Sequence, residues 1–386
     1  MTCRFIKVFD LGARMVSVVG AGPAGNYVAY LLAKKGMDVD VYEDHDLIGK
    51  PVQCTGIMTS YLDKLIHLDG WENFLVNTID GTRVFGPDGT SVYVKLKKNY
   101  IVDRALFDQH LGTLAEESGA EYHYQHRFTS CTFERNGLRL SFQHGTSARD
   151  DVLVGSDGPG SLVAKSAGLF GQRRFVVGVQ ARISLKKEID PHLVDFYVDK
   201  HADGYIGWVV PENDHIARIG VASYQHSHEY FQDLMKKMGG EILEWQSGAI
   251  PLYQPQLEMS LSRKEGDVFL VGDAATMVKA TTYGGILPGM MAAEELAKVL
   301  LDGGGALDYE LAWRRRIGRD LWLHLLIRNY MDRFSLMDYK RLIQYTNQEK
   351  VLTVLGEHDR EYPSKLLFKI LWREPRFLRF AFSTLF

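Results

Sequence analysis

Short continuous apolar runs alternate with helical patterns over much of this chain, and between them lie stretches in which apolar and polar residues alternate singly. Val16–Val19, Val39–Tyr42 and the runs that open the segments Asp151–Gly168 and Asp267–Leu301 are of the first kind and predict short buried strands. Helices are predicted over 26–35, over the first part of Tyr100–Tyr124 through Phe107, Leu111 and Leu114, and from Gly284–Gly285 to Leu301. The single alternation occupies Thr78–Leu96, which reads as a hairpin about Pro87-Asp88-Gly89. It returns in Phe175–Ile183, Asp195–Val198, Tyr205–Pro211 and His215–Ser223, which predict one antiparallel sheet. From Tyr309 the pattern is helical, with Leu321, Leu325, Ile327 and Met331 among charged residues. The expected fold class is α/β (α+β): a domain of alternating buried strands and helices, an antiparallel-sheet domain and a helical C-terminal region. The expected boundaries are 1–75, 99–172 and 254–303 for the first, 76–98 and 173–253 for the second, and 304–386 for the third.

The segment Met15–Glu43 carries the chemistry most plainly. Gly20, Gly22 and Gly25 fill a G-x-G-x-x-G pattern between a strand and a helix, with Pro23 and Ala24 inside it. Gly20 permits a tight turn, Gly22 lets the backbone approach a pyrophosphate, and Gly25 lets helix pack on strand. The helix N-terminus offers unpaired N–H groups to phosphate. Glu43, at the tip of the second strand, is placed to accept from adenosine ribose hydroxyls. The pattern therefore predicts that the first domain is a Rossmann-like domain binding a dinucleotide, FAD or NAD(P), which leaves the antiparallel sheet as the substrate domain. Later segments fit a stretched FAD. Asp157-Gly158 follows one strand, Gly272-Asp273 ends another, and Gly284–Gly285 then Ile286 open a long helix whose N-terminus would face a reduced flavin's negative side. No second G-x-G-x-x-G follows a strand, which argues against a separate NAD(P)H domain.

Composition narrows the alternatives further. With 386 residues, 46% hydrophobic and 24% charged at net charge −3, nothing calls for nucleic acid as a partner. Three cysteines, Cys3, Cys54 and Cys131, are too few and too scattered for a disulfide framework or metal cluster, and a reducing cytoplasm is the simplest setting. His123 and His126, or His226 and His228, lack helical ligand spacing, so no metal is expected. No apolar run is long enough to span a bilayer, the first 14 residues lack a signal-peptide core, and Met15 is an alternative start.

The order of these segments resembles the FAD-dependent glutathione-reductase-like class that includes p-hydroxybenzoate hydroxylase. The resemblance implies FAD, with Asp157, Gly158, Gly272 and Asp273 in its binding motifs and Arg104 as the flavin-side arginine. Two further stretches, Gly49–Leu65 and Asp203–Tyr224, resemble the geranylgeranyl reductases, in which K-P-x-x-C-x-G follows the second strand and Y-x-W-x-F-P lies in the substrate domain. Lys50, Pro51, Cys54 and Gly56 match the first motif, and Trp208 and Pro211 the second. The resemblance implies reduction of isoprenoid C=C bonds by hydride from reduced flavin, with Lys50 and Cys54 near flavin, and Tyr205, Trp208 and Pro211 toward an isoprenoid or other apolar substrate. The proton source is left among Cys54, a tyrosine and water, and the electron donor between ferredoxin and NAD(P)H. Two positions depart from the pattern: Ile206 stands in the tyrosine position with Tyr205 one residue early, and Val210 replaces phenylalanine. On a strand that offset turns Tyr205 to the opposite face unless a bulge intervenes.

Other readings on the same scaffold are a flavin monooxygenase or halogenase, although halogenases carry W-x-W-x-I-P and only Trp208 stands here, and a non-catalytic FAD-containing carrier. The last segment, Ser364–Phe386, mixes Leu366, Leu367, Ile370, Leu371 and Trp372 with Lys365, Lys369, Arg373, Arg376 and Arg379, and Pro375 divides it. It reads either as a basic amphipathic helix lying peripherally on an anionic membrane or as a helix packed on the core with a solvated basic face.

Overall fold

The computed structural model describes residues 14–198, 203–357 and 361–382; the expected N-terminal extension with Cys3 and the last four residues lie outside them. The continuous apolar runs form a six-stranded sheet in the order Ser260–Arg263, Gly266–Leu270, Val152–Gly155, Val16–Val19, Val39–Tyr42, Glu121–His123. All pairings are parallel except that of the edge strand Ser260–Arg263. Val16, Val18, Val41, Val152, Val154, Val268 and Leu270 are all essentially inaccessible, as parallel strands with both faces covered must be. Helix Pro23–Ala33 packs on the strands Val16–Val19 and Val39–Tyr42, and helices Arg104–Glu117 and Ile286–Leu301 pack on it. A three-stranded sheet, Phe128–Glu134, Gly137–Phe142 and Ser147–Asp150, joins the same core, with Phe142 stacked on Tyr42 at 4.3 Å.

The alternating segments form an eight-stranded sheet in the order Glu241–Pro251, Phe175–Ser184, Ile216–Ser223, Ile206–Pro211, Leu193–Tyr197, Leu75–Phe85, Ser91–Val102, Ile57–Thr59. One pairing departs from the expected antiparallel pattern: Leu193–Tyr197 runs parallel to Leu75–Phe85. The chain leaves this sheet after Val102, passes through the other domain and returns at Phe175, and a long crossover of that kind permits a parallel join. The hairpin strands extend beyond the expected limits, to Leu75–Phe85 and Ser91–Val102, and turn where the Gly86 N–H donates to Thr90 O.

Alternation along the sheet sets its two faces. Val179, Ala181, Ile183, Val209, Ala217, Ile219 and Val221 form a core under helix Ser227–Met238 with Phe231 and Leu234. The opposite phase carries Val176, Trp208, Val210 and Ala222, and it packs with Ala280 and Tyr283, which belong to the segment just before helix Ile286–Leu301. Of the C-terminal helices, Arg319–Met331 reaches that junction through Leu325, Leu336–Thr346 and Glu349–Glu357 pack on strand Ser91–Val102, and Pro363–Arg373 packs on Arg319–Met331 and Glu349–Glu357.

Candidate flavin site

The glycine turn is held by backbone contacts that admit no side chain. Gly20 has φ +100°, and a Cβ there would stand 2.6 Å from Ser156 O. At Gly25 it would stand 2.1 Å from Gly20 O and 2.4 Å from Ser156 Oγ. Gly22, the N-cap residue before Pro23, is the opposite case: nothing lies within 4 Å of its Cβ position. The open space is above the helix N-terminus, where a pyrophosphate is accepted. Ala24 sits against Gly272 and Gly289, so the three elements meet through their smallest residues. Glu43 is buried and already accepts from Ala21 N–H at 2.8 Å, with His45 Nδ1 2.6 Å away. Burial pushes its carboxyl above the usual range.

At the other end of the site Arg104 and Asp108 form a bidentate pair, Nε to Oδ1 3.1 Å and Nη2 to Oδ2 2.9 Å. Burial opposes the charge on Arg104, but Asp108 and the Cys54 sulfur facing it raise its pKa above the guanidinium norm. Asp273 lies in the field of the same arginine, and burial pushes its carboxyl up to about 6. A ribitol hydroxyl would supply the hydrogen-bond donor that burial withholds. Gly285 is the N-cap of the following helix, and a Cβ there would stand 2.7 Å from Asp273 Oδ1; Gly284 is pressed on the Lys279 side chain. Asp157 accepts from Ser161 Oγ at 2.6 Å and from the N–H groups of Leu162 and Val163, so it shapes the turn with Gly158 and caps a helix. Beside it the two outer nitrogens of Arg173 are buried with no acceptor among the described residues. An orphaned cation and an open helix N-terminus fit an anionic, elongated group, and FAD meets that description. Lys50 is exposed, at the start of the Cys54 loop.

The loop 53–56 joins the two domains. Cys54 Sγ accepts from the Gly56 N–H at 3.4 Å. Buried Arg218 donates from Nη1 to Thr55 O at 2.7 Å and Val102 O at 2.9 Å, and its Nε bonds Glu212 at 2.8 Å. Gln180 completes the link: its Oε1 accepts from Thr55 Oγ1 at 2.9 Å and from Trp208 Nε1 at 2.8 Å. Trp208 is thereby brought to the Cys54 side. Tyr205 is not. It shares the phase of Val209 and packs under helix Ser227–Met238, edge-on to Tyr230 at 5.4 Å. No bulge intervenes between Ile206 and Trp208 to reverse that phase. Pro211 ends the strand, its carbonyl accepting from Asn77. Replacing Gln180 by leucine leaves the Trp208 N–H and Thr55 hydroxyl without a partner, and is expected to cost about 1–3 kcal/mol in urea unfolding.

The residues 276–285 ahead of helix Ile286–Leu301 are clamped by the C-terminal region. Lys279 Nζ bonds both oxygens of buried Glu361 at 2.8 Å, Arg328 Nε donates to Ala280 O at 3.2 Å, and Thr281 Oγ1 meets His324 Nδ1 at 2.6 Å. Tyr283 has φ +56° and donates from its hydroxyl to Gly204 O. Left-handed backbone is costly for a bulky residue and collects at functional sites. Burial drives the His324 pKa down to about 3, so the imidazole is neutral in the fold. The unfolded chain takes up that proton near pH 6.5, and the folded chain does not until about pH 3. Stability from this group therefore falls as pH drops through that window, by about 1.4 kcal/mol per pH unit. Asp273, with its raised pKa, works in the opposite direction below pH 6. The check is the difference in urea midpoint between the native chain and His324→Gln, which narrows from pH 7 to pH 5.

The fold brings Gly20, Gly22, Gly25 and Glu43, singled out by the sequence pattern, to one turn, whereas Gln180, Arg218, Glu212 and Lys279 carried no motif that would mark them. Gln180 lies on the phase of its strand that an alternating pattern assigns to solvent, and here that phase faces the site.

A family model described as FAD binding domain matches residues 14–303. The chain is 30% identical over 351 residues to digeranylgeranylglycerophospholipid reductase 1 of Methanococcoides burtonii, covering 83% of this chain and 84% of that one. It is 29% identical over 367 residues to the digeranylgeranylglycerophospholipid reductase of Methanothrix thermoacetophila, covering 87% and 92%. Among solved structures, a geranylgeranyl bacteriochlorophyll reductase-like protein of Thermoplasma acidophilum superposes with TM-score 0.81 at 22% identity over 94% of this chain and 97% of that one. A flavin-dependent brominase superposes with TM-score 0.68 at 19% identity over 89% and 93%, which shows the shared fold. An open helix N-terminus at Gly22, a buried acid at the tip of the second strand and relatives matched over most of their length lead to one assignment: the chain belongs to the FAD binding domain family and, within it, to the digeranylgeranylglycerophospholipid reductases.

Proposed function

We propose that this chain is an FAD-dependent reductase that saturates C=C bonds in the isoprenoid chains of a geranylgeranyl-type lipid, in lipid biosynthesis, working as a peripheral protein at the membrane surface. The observation that carries the reading is the junction at loop 53–56, where the Cys54–Arg104 pair of one domain is tied through Thr55 and Gln180 to Trp208 on the apolar face of the other. FAD, when bound, supplies the hydride for one alkene carbon. The chain's own residues do the rest. An isolated alkene offers no carbonyl to polarise, so positioning and exclusion of water are what the protein contributes. The Trp208 face, with Val176, Ala222, Leu252 and Ala280 beside it, provides a dry wall for such a chain. The proton for the second carbon would come from Cys54 Sγ, which faces Arg104, from a tyrosine or from water. Electrons arrive from ferredoxin or transiently bound NAD(P)H.

The test is product mass. Protein reduced without oxygen is mixed with a geranylgeranyl phospholipid, and the lipid gains whole hydrogen pairs. Lipid recovered unchanged from protein that holds reduced FAD defeats the reading.

A further inference from the structure

We infer that the outer face built by helices Pro363–Arg373 and Arg319–Met331 docks on an anionic lipid surface. The inference rests on the lipid-reductase reading, because it supplies the route by which a membrane-held substrate meets the site.

Helix Pro363–Arg373 buries Ile370 against the core and turns Phe368 and Trp372, four residues apart, to the outside. Phe368 is 72% exposed and Trp372 80%; on the neighbouring helix Trp322 is 48% exposed. Between the two helices runs an apolar groove of about 230 Å³ lined by Arg319, Trp322, Leu367, Phe368 and Leu371. Large aromatics gathered in one exposed patch mark an interaction surface. Charge selects the partner. From Pro363 to Phe382 the chain carries Lys365, Lys369, Arg373, Arg376 and Arg379 against one acid, Glu374, while the whole chain is at −3. That acid is buried and bonded to Arg376. A second copy of the chain would set these cations against their own kind, whereas anionic headgroups complement them. Aromatics that sink to the headgroup level, rimmed by long basic side chains that reach water, are the makeup of an interfacial helix. No helix among the described residues is long and apolar enough to cross a membrane, so this one would lie on it.

The helix is also tied to the site. Tyr362, its N-cap, bonds Tyr61 between hydroxyls at 2.7 Å, and the Ser364 N–H donates to Asp320 at 2.9 Å. The preceding residue, Glu361, holds Lys279 of the segment before the flavin helix. The docking face therefore begins where the site's own loop is clamped and extends about 16 Å along the helix.

The experiment is flotation of the full-length, FAD-loaded protein with phosphatidylcholine vesicles with and without phosphatidylglycerol, alongside Trp fluorescence. Binding to the anionic vesicles with a blue shift is expected. The Phe368→Ser/Trp372→Ser variant should bind at least about 10-fold more weakly, and Lys365→Glu/Lys369→Glu should lose the preference for phosphatidylglycerol. Both variants should keep the flavin spectrum and the unfolding midpoint. Equal binding by native chain and variants, or none by the native chain, overturns the inference. So does a concentration-dependent dimer that the aromatic variant abolishes, which would assign the patch to a second copy. Turnover of a short isoprenoid alcohol dispersed in detergent is measured in parallel. Vesicle binding without turnover sinks the reductase reading and leaves the docking face standing; turnover without vesicle binding does the reverse.

Discussion

Gly25→Val is expected to purify without flavin. The added Cβ alone would stand 2.1 Å from Gly20 O and 2.4 Å from Ser156 Oγ. Neither neighbour can retreat: Ser156 Oγ donates to Val19 O at 2.9 Å and Gly20 O at 2.7 Å, and Gly20 already holds φ +100°. Helix and turn must part, at a cost of about 1–3 kcal/mol or more, and the phosphate cradle is lost with them. Gly22→Ala separates folding from binding. Gly22 has φ −78° with nothing within 4 Å of the Cβ position, so the fold should keep its stability within about 0.5 kcal/mol. The methyl instead enters the open space we assign to pyrophosphate, and FAD affinity should fall about 10-fold or more, some 1.4 kcal/mol. Flavin absorbance of the purified protein and fluorescence titration with FAD, beside urea unfolding, check both. A Gly25→Val chain that retains stoichiometric FAD would show that the turn is not the cradle.

Arg104→Met has the second largest expected effect. It removes the cation from a pair whose side chains are 13% and 5% exposed, and leaves Asp108 as a buried carboxylate without its partner. Breaking a buried pair from one side costs about 3–5 kcal/mol. Asp273 loses the one charge that restrains its pKa, and Cys54 loses its cationic neighbour. The pH dependence carries the diagnosis. Burial already holds the Asp108 carboxyl above its unfolded value, and loss of Arg104 raises it further, so in the variant the folded state takes up a proton sooner and stability recovers as pH falls toward the unfolded carboxylate pKa. Arg104→Met/Asp108→Leu should regain much of the loss at neutral pH. Denaturant midpoints of the single and double variants at pH 7 and pH 5 test this. A single variant as destabilised at pH 5 as at pH 7 would mean that lost packing, not an uncompensated charge, sets the cost.

The dinucleotide half of the molecule was legible because its motif demands particular residues. Gly20, Gly25 and Glu43 are required by contacts of the turn itself, and the continuous Val runs have one good solution, a parallel sheet covered on both sides. The half built on the eight-stranded sheet was legible only in outline. Its alternation located most of its strands, yet the pattern cannot tell a polar phase that faces solvent from one that faces a site. Gln180 and Arg218 were passed over for that reason. Tyr205 was expected beside Trp208 at the substrate; its one-residue offset with no bulge turns it to the other face instead. The edge strand Glu241–Pro251 pairs with Phe175–Ser184, but most of its side chains are exposed, so neither apolar period marks it. Lys279 and Glu361 are 82 residues apart, and their ion pair exists only because the C-terminal helices return over the loop 276–285.

The central claim is that the electrons of bound reduced FAD go to an alkene. Its most direct test is anaerobic. The FAD-loaded protein is reduced with a stoichiometric amount of dithionite, a geranylgeranyl phospholipid is added, and the flavin spectrum is followed. Return of the oxidised spectrum before any oxygen enters, with one double bond consumed per flavin reoxidised, is the predicted result. Flavin that stays reduced with the lipid present and reoxidises only on admission of oxygen would contradict the account.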